Sequence, residues 1–188
     1  MDEALFAAIN GLAGHHHTTD GLLVLVITAG PYLLMGALAL RWFWPGDRSR
    51  LDRQQGDVMI TLLSTAVALG LNQVIIHLWD RPRPFAMHAT TLLLPTSSDP
   101  SFPSDHATFG FAIAMTLVLS SRRIGLPALL LAALLAFSRV YTGEHYVSDV
   151  VAGALIGGML VCMLHPVRPY LILALAPLVR WARRWHLA

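Results

Sequence analysis

The sequence predicts an all-α fold, a polytopic bundle of transmembrane helices. Of the 188 residues, 55% are hydrophobic and 13% are charged, whereas an ordinary soluble domain contains about 25% charged residues. A membrane crossing requires about 20 apolar residues, and five runs approach or exceed that length. These runs cover roughly residues 21–44, 57–79, 104–121, 124–142 and 146–164. We therefore expect five spans within one domain of residues 1–188, with a sixth span as the alternative.

The two ends of the chain are apolar but too short to cross a membrane. Residues 3–13 predict an amphipathic helix that lies on the membrane surface. Residues 168–188 predict an interfacial tail, because a short apolar run is followed by arginines and two tryptophans. A sixth span through this tail would carry three arginines to the opposite side of the membrane, which argues against it.

Local signals refine the third and fifth spans. Pro103 and Ser104 predict the start of the third span, with Ser104 as the N-cap. The loop that begins at Pro82 and leads to this point is long for a compact bundle and predicts a lid or a wall of a site. A small-residue face in the fifth span favours close helix packing and consists of Gly153, Gly157 and Gly158.

The arginines predict how the bundle is oriented. All 13 basic residues are arginines. With five spans, ten of these arginines fall on one side, which the positive-inside rule makes cytoplasmic, together with loops 45–56 and 122–123 and the C-terminus. The other side keeps only Arg81, Arg83 and Arg139. The arginines are not interleaved with aromatic residues in one stripe, so we do not expect nucleic-acid binding.

Cysteine and histidine usage does not indicate a metal site. Cys162 is alone within an apolar run, which excludes a disulfide framework and a cysteine-based zinc site. His15, His16 and His17 are adjacent and cannot all face one ion on a regular helix. We therefore expect no bound metal at these residues.

Three polar clusters lie at the margins of the apolar runs, where ionisable groups are expensive to hold and usually serve a function. The clusters are Asp80 to Pro84, Pro103 to His106, and Ser138 to Asp149. In the third cluster His145 and Asp149 are four residues apart, so on a helix the carboxylate could hold the imidazole in one tautomer. Arginine offers a planar fork for phosphate oxygens. This set of residues indicates phosphoryl transfer through a phosphohistidine.

The same clusters carry a family resemblance. The chain resembles the type 2 phosphatidic acid phosphatase (PAP2) superfamily, whose blocks are Lys-x6-Arg-Pro, Pro-Ser-Gly-His and Ser-Arg-x5-His-x3-Asp. The third block is complete here, the second has Asp105 in place of glycine, and the first has Ile76 in place of lysine. Within the family, the Asp-Arg-Pro-Arg-Pro-Phe and Ser-Phe-Pro-Ser-Asp-His runs are most similar to the bacterial undecaprenyl-diphosphate phosphatase branch.

The resemblance implies a role for each motif residue. His145 is expected to be the nucleophile, Asp149 to orient it, and His106 to act as general acid and then as base. Arg83, Arg139 and Ser104 are expected to bind the non-bridging phosphate oxygens. Arg81, or the neighbouring His77, is expected to supply the positive charge lost at Ile76. Three further residues are candidate accessory groups, namely Asp105, Glu144 and His88, the last of them as a contact to a distal phosphate.

The function that follows is hydrolysis of undecaprenyl diphosphate to undecaprenyl phosphate and phosphate, in a bacterial plasma membrane with the site facing outward. The partners expected are this polyprenyl diphosphate substrate and membrane lipids. The resemblance implies no metal and no cofactor, because arginines and a helix N-terminus supply the positive charge. Phosphatidylglycerophosphate or phosphatidic acid is the alternative substrate. A transporter or ion relay is a weaker alternative, because the polar residues gather at one face and the middles of the spans read as apolar.

Overall fold

The computed structural model describes residues 1–45, 47–174 and 177, and the regular structure in these residues is entirely helical. The α-helices bounded within these residues are, in chain order, α1 (Asp2–Asn10), α2 (His17–Phe43), α3 (Arg48–Leu78), α4 (Pro84–Met87), α5 (Asp105–Ser120), α6 (Arg122–Tyr141) and α7 (Val147–Leu164). A short 3-10 helix, His165–Val167, continues from α7. The predicted all-α bundle is confirmed.

Four of the helical segments are long and apolar enough to cross a membrane. They are His17–Phe43, Arg50–Leu78, Arg122–Tyr141 and Val147–Ala174. The fifth apolar helix, α5, has 16 residues and is therefore only about 24 Å long. It occupies the centre of the bundle, where it packs against α2, α3, α6 and α7. Half of its residues are buried, which agrees with a helix surrounded by protein rather than by lipid.

The second long helix begins earlier than the sequence predicts. The expected cytoplasmic loop 45–56 is mostly helical, because α3 begins at Arg48. Asp47 caps this end, and its carboxylate accepts a hydrogen bond from the backbone N–H of Arg50 at 2.8 Å. The polar stretch that follows is not an exposed loop, since Gln54, Gln55 and Asp57 are all buried.

The interior of α3 and α5 is more polar than the sequence predicts, which corrects the expectation of apolar span middles. The Thr61 hydroxyl donates to the Thr116 hydroxyl at 2.8 Å, and the Asn72 amide donates to the Thr108 hydroxyl at 2.9 Å. All four residues are buried. Thr108 and Thr116 also donate to a backbone carbonyl four residues earlier. These groups therefore act as hydrogen-bonded contacts between two helices.

The glycines of α7 let it approach α5 closely. A Cβ at Gly157 would lie 2.1 Å from the backbone oxygen of Thr108, and one at Gly153 would lie 2.5 Å from the backbone oxygen of Ser104. No residue larger than glycine fits these positions without moving α5. The contact fixes the start of α5 beside the start of α7, where two of the polar clusters lie.

Helix α1 and the described part of the C-terminal segment also contact the bundle. Helix α1 packs against α6 and α7, and Phe6, which is 2% exposed, meets the ring of Tyr146 edge-on at 5.5 Å. Its predicted position on a membrane surface stays a prediction. Residues 168–174 are helical, but most of the predicted interfacial tail, including Arg180, Arg183 and Arg184, lies outside the described residues.

Candidate active site

The three polar clusters meet at one end of the bundle, around a cavity of about 280 Å³. The end of α3, the segment before α5, the start of α5 and the α6–α7 connection all supply its walls. The charged and titratable residues that line it are Arg83, Asp99, Asp105, His106, Arg139 and His145. The loop predicted to form a lid or wall lies here, since Ser97, Pro100 and Pro103 also line the cavity.

A tight turn after α6 places two of the site residues. Helix α6 ends at Tyr141, and Gly143 adopts a positive φ of 88°, a conformation that is costly for other residues. A Cβ at Gly143 would also lie 2.5 Å from the side chain of Thr90. The turn folds back on α6, because the N–H groups of Glu144 and His145 both donate to the carbonyl of Arg139. Glu144 and His145 are thereby directed into the interior.

His145 is held by a backbone carbonyl. Its side chain is buried, and Nδ1 lies 2.7 Å from the carbonyl oxygen of Ser101. A carbonyl can only accept a hydrogen bond, so Nδ1 carries the proton and Nε2 keeps its lone pair. Burial lowers the pKa of His145 to about 4; the nearby Asp149 opposes this effect, and the charges of Arg139 and Arg83 add to it. The imidazole is therefore neutral at physiological pH, as a nucleophile must be.

Asp149 acts on His145 mainly through Ser101, which refines the predicted direct contact. Its Oδ2 lies 3.6 Å from His145 Nδ1, longer than a hydrogen bond. The same Oδ2 accepts from the Ser101 hydroxyl and from the Tyr146 N–H at 2.8 Å. The second bond caps the start of α7. Asp149 thus fixes the serine whose carbonyl orients the imidazole.

Two arginines share one buried carboxylate beside His145. The Oε2 atom of Glu144 accepts from Arg83 at 2.6 Å and from Arg139 at 3.3 Å. Arg83 is further fixed by the Asp99 carbonyl, which accepts from its Nε at 2.7 Å. The two guanidinium groups and the single carboxylate together carry a net positive charge. The Nε of Arg139 is buried and finds no hydrogen-bond partner among the described residues.

The start of α5 contributes three adjacent residues. Ser104 occupies the predicted N-cap position, but its hydroxyl makes no capping bond and is buried with no partner among the described residues. Asp105 lines the cavity and accepts a hydrogen bond from the Asn72 amide at 2.7 Å. His106 lines both this cavity and a neighbouring one. Ser104 does not itself line either cavity, but its unpaired hydroxyl and the first N–H groups of α5 are hydrogen-bond donors at this end of the helix.

The neighbouring cavity, of about 610 Å³, extends from the site towards the lipid-facing helix α2. Its apolar wall includes Ile27 and Pro31 of α2 and Leu94 and Pro95 of the long loop. Arg139, Glu144 and His106 form its polar boundary with the site. An apolar chain attached to a phosphate could therefore lie here while its phosphate remains between the arginines.

Arg81 lies outside this cavity, although the sequence predicts it as a phosphate ligand. Its guanidinium donates to Asp149, to the Ser148 hydroxyl at 2.7 Å and to Asp2 at 2.6 Å. It also stacks over the ring of Tyr146, 4.2 Å from the centroid. Two carboxylates and an aromatic ring surround this guanidinium. Arg81 therefore contacts the site through Asp149 and does not face the cavity.

His77 and His88 also fall outside the residues that line the cavity. His77 is exposed, and its Nδ1 lies 2.7 Å from the Gln73 carbonyl. His88 lies against α1, with Nε2 3.9 Å from Glu3, so its predicted contact with a distal phosphate has no support in this position. Ile76 does line the cavity, whereas Arg81 and His77 do not.

His15, His16 and His17 are all exposed. Within the described residues, no group of three His, Cys, Asp or Glu side chains is arranged to hold a metal ion.

Sequence reasoning missed three residues that organise the site. Ser101 and Asn72 are buried and bond directly to site residues, while Asp2 reaches the site from α1 through Arg81 and Ser148. Ser101 lies within the Ser-Phe-Pro-Ser-Asp-His run. Its position beside the motif could have indicated that it belongs to the site. Asn72, a buried amide within an apolar run, was a second signal of this kind.

Comparisons with known proteins agree with the fold. The sequence pattern of the PAP2 superfamily matches residues 57–173. Undecaprenyl-diphosphatase BcrC of Bacillus subtilis (strain 168) is 30% identical over 156 residues, which cover 83% of this chain and 78% of that protein. The putative undecaprenyl-diphosphatase YbjG of Escherichia coli (strain K12) is 30% identical over 168 residues, covering 87% and 80%. Among solved structures, the first transmembrane PAP2 type phosphatidylglycerolphosphate phosphatase from Bacillus subtilis superposes with a TM-score of 0.66 at 25% identity, covering 90% of this chain and 85% of that one.

Proposed function

Because this chain belongs to the PAP2 superfamily and is a multi-pass membrane phosphatase, we propose that it hydrolyses undecaprenyl diphosphate to undecaprenyl phosphate and inorganic phosphate. The observation that carries the chemistry is the position of His145, held through Nδ1 at 2.7 Å by the Ser101 carbonyl beside two arginines. The choice of lipid rests on the relatives whose names specify undecaprenyl diphosphate.

The first half-reaction transfers the terminal phosphate to the enzyme. The lone pair on His145 Nε2 attacks the terminal phosphorus, and the bond from phosphorus to the bridging oxygen breaks. The negative phosphate bound beside His106 favours its protonated form. His106 then donates this proton to the bridging oxygen, so undecaprenyl phosphate leaves and a phosphohistidine remains. Arg83 and Arg139 bind the non-bridging oxygens, where charge shifts in the transition state.

The second half-reaction releases phosphate. His106, now neutral, takes a proton from a water molecule as that water attacks the phosphohistidine. The bond between phosphorus and Nε2 breaks, which restores His145 and frees inorganic phosphate. Asp149 stabilises the positive charge that the imidazole carries while it is phosphorylated. The buried Ser104 hydroxyl and the N-terminus of α5 supply further donors for phosphate oxygens.

The site faces the outside of a bacterial plasma membrane in this proposal. The described arginines at the other end of the bundle support that orientation, since positive residues favour the cytoplasmic side. They are Arg41, Arg50, Arg53, Arg122, Arg123 and Arg168. A reporter fused at Ala188 is expected to give a cytoplasmic signal, and a periplasmic signal would contradict the five-span orientation.

Phosphatidylglycerophosphate is the second candidate substrate. The structural similarity to a phosphatidylglycerolphosphate phosphatase supports it, and this lipid also ends in a phosphate group, in its case a monoester. The motif residues contact phosphate and do not distinguish one lipid chain from another. The two substrates must therefore be separated by experiment.

The test is phosphate release by the purified protein in detergent, with EDTA present. We expect release from undecaprenyl diphosphate that His145→Ala abolishes, while His15→Gln, a change at an exposed histidine that does not line the cavity, leaves it intact. Histidine-dependent release from phosphatidylglycerophosphate or phosphatidic acid alone would keep the mechanism and replace the substrate. Loss of activity in EDTA, or activity that survives His145→Ala, would contradict the metal-free phosphohistidine mechanism.

A further inference from the structure

We propose that the end of the bundle opposite the active site contains a binding site for the phosphate headgroup of an anionic phospholipid. A cavity of about 590 Å³ lies there between the end of α2, the start of α3 and the α5–α6 turn. Four arginines line it, Arg41, Arg50, Arg53 and Arg123. The proposal does not depend on which substrate the enzyme cleaves.

Arg41 is held in place by contacts within the protein. Asp57, which is 1% exposed, accepts from Arg41 at 2.9 Å and from Arg168 at 2.6 Å. It also accepts from the Ser120 hydroxyl at 2.6 Å. Arg41 therefore keeps its place without a ligand, and its Nε is buried with no hydrogen-bond partner among the described residues. A preorganised cation with a spare donor lowers the entropic cost of binding an anion.

The other three arginines carry charge that the described structure does not neutralise. The side chains of Arg50, Arg53 and Arg123 are exposed and make no ion pair with another described residue. The N-terminus of α6 adds to the positive potential, because Ser121 lines the cavity and its side chain does not cap the helix. Arginines together with an uncapped helix N-terminus favour phosphate.

The rest of the cavity wall is apolar, which favours a lipid over a free phosphate. Leu40, Trp44 and Ile124 line it and are 63%, 52% and 44% exposed. A free phosphate would gain nothing from these side chains, whereas the glycerol and first methylene groups of a phospholipid would cover them. The positive-inside rule accounts for arginines on this face, but it does not require that they line a cavity around a buried ion-pair cluster.

Such a lipid would bridge α2, α3 and α6. It is therefore expected to raise thermal stability, because a ligand that binds only the folded protein stabilises it. We propose to reconstitute the full chain in nanodiscs of phosphatidylcholine, with and without about 30% phosphatidylglycerol, and to measure the unfolding temperature. A saturating lipid should raise it by on the order of 5 °C.

The matched variants are Arg123→Gln, at a residue that lines the cavity, and Arg122→Gln, at its exposed neighbour that does not. Arg123→Gln is expected to lose about half of the phosphatidylglycerol shift, and the triple change Arg50→Gln, Arg53→Gln, Arg123→Gln to lose nearly all of it. Arg122→Gln is expected to keep it. Native mass spectrometry should show retained phosphatidylglycerol in the wild type and in Arg122→Gln, but not in the triple variant.

Three results would overturn the proposal. The first is an equal loss of the shift in Arg122→Gln and Arg123→Gln, which would indicate general surface charge. The second is a full shift in the triple variant. The third is a shift of the same size with millimolar inorganic phosphate in phosphatidylcholine nanodiscs, which would make the cavity a free-anion site. Phosphatase activity of the triple variant in detergent is expected to equal that of the wild type, which separates this test from that of the catalytic proposal.

Discussion

Nδ1 of His145 lies 2.7 Å from the carbonyl oxygen of Ser101, whereas Oδ2 of Asp149 lies 3.6 Å from the same nitrogen. The carboxylate instead binds the hydroxyl of that serine. Orientation of the imidazole therefore depends on a backbone group, and the carboxylate holds this backbone group in place. This arrangement separates the role of Asp149 in geometry from its role in charge.

We expect Ser101→Ala to lower kcat about tenfold, because the carbonyl remains and only its tether to Asp149 is lost. Asp149→Asn is expected to lower kcat on the order of 1000-fold, since it also removes the charge that stabilises a positive imidazole. Steady-state phosphate release measures both effects. Equal losses in the two variants would show that Asp149 acts only by holding Ser101.

The buried, neutral His145 predicts a pH dependence of stability. Burial lowers its pKa to about 4, whereas an unfolded histidine has a pKa of about 6.5. Between these values the unfolded chain binds a proton that the folded chain does not, so stability rises with pH through this window. We expect the unfolding temperature of the wild type to fall more between pH 7.5 and pH 5 than that of His145→Gln. Parallel curves would show that His145 is not buried in its neutral form.

The charge of Glu144 is expected to weaken the binding of the product, inorganic phosphate. Its carboxylate offsets one of the two guanidinium charges of Arg83 and Arg139, so Glu144→Gln adds one net positive charge at the cavity while nearly preserving side-chain shape. The inhibition constant for inorganic phosphate is expected to fall about tenfold, which corresponds to about 1.4 kcal/mol.

The control for this change is Asp99→Asn. Asp99 also lines the cavity, but its side chain is exposed, so solvent screens its charge and the inhibition constant should change much less. Weaker phosphate inhibition in Glu144→Gln would indicate that the carboxylate is needed chiefly to hold the arginines in position.

The helices and most of the cavity-lining residues could be predicted from the sequence, and the contacts behind them could not. Apolar runs of about 20 residues and the spacing of His145 and Asp149 are local patterns. The capture of Arg81 by Asp2 depends on residues 79 positions apart, and no local pattern reports such a distance. The sequence places Arg81 next to Arg83 and so predicts a phosphate ligand, and it does not show that Asp2 and Asp149 lie against this guanidinium.

The boundary of α3 was missed for a different reason. Hydropathy identifies the apolar part of a helix, and the nine residues from Arg48 to Gly56 include only one apolar side chain, Leu51. They are helical because Asp47 caps them and because Asp57 lies in a buried cluster with Arg41 and Arg168. A capping aspartate before a polar run was the available signal.

Adjacent glycines of α7 predict opposite responses to the same change. A Cβ at Gly157 would meet the Thr108 backbone at 2.1 Å, whereas one at Gly158 would meet only the Met115 side chain at 3.7 Å. Gly157→Ala is therefore expected to cost about 1–3 kcal/mol by overpacking and to lower the unfolding temperature by several degrees. Gly158→Ala should leave it unchanged or slightly raised. A tolerated Gly157→Ala would contradict the close α5–α7 contact.

The last prediction concerns Asp2, which reaches the site from α1. Hydrogen bonds from Ser148 and Arg81 outweigh the effect of burial and hold the pKa of Asp2 below its ordinary value, so its carboxylate stays charged. Arg81 bridges this carboxylate and Asp149. With Asp2→Asn, the whole guanidinium charge falls on Asp149 and competes with its bond to Ser101. We expect kcat to fall about tenfold with little change in KM, because the phosphate ligands are untouched.

The matched control is Glu3→Gln, which removes the neighbouring carboxylate, 74% exposed and 3.9 Å from His88, and should leave kcat unchanged. Thermal unfolding of both variants separates a local effect on the site from a loss of α1 docking, since Phe6 still anchors the helix on Tyr146. If Asp2→Asn raised KM instead, with kcat preserved, Arg81 would be a substrate ligand after all, and the route from Asp2 through Asp149 to His145 would not exist.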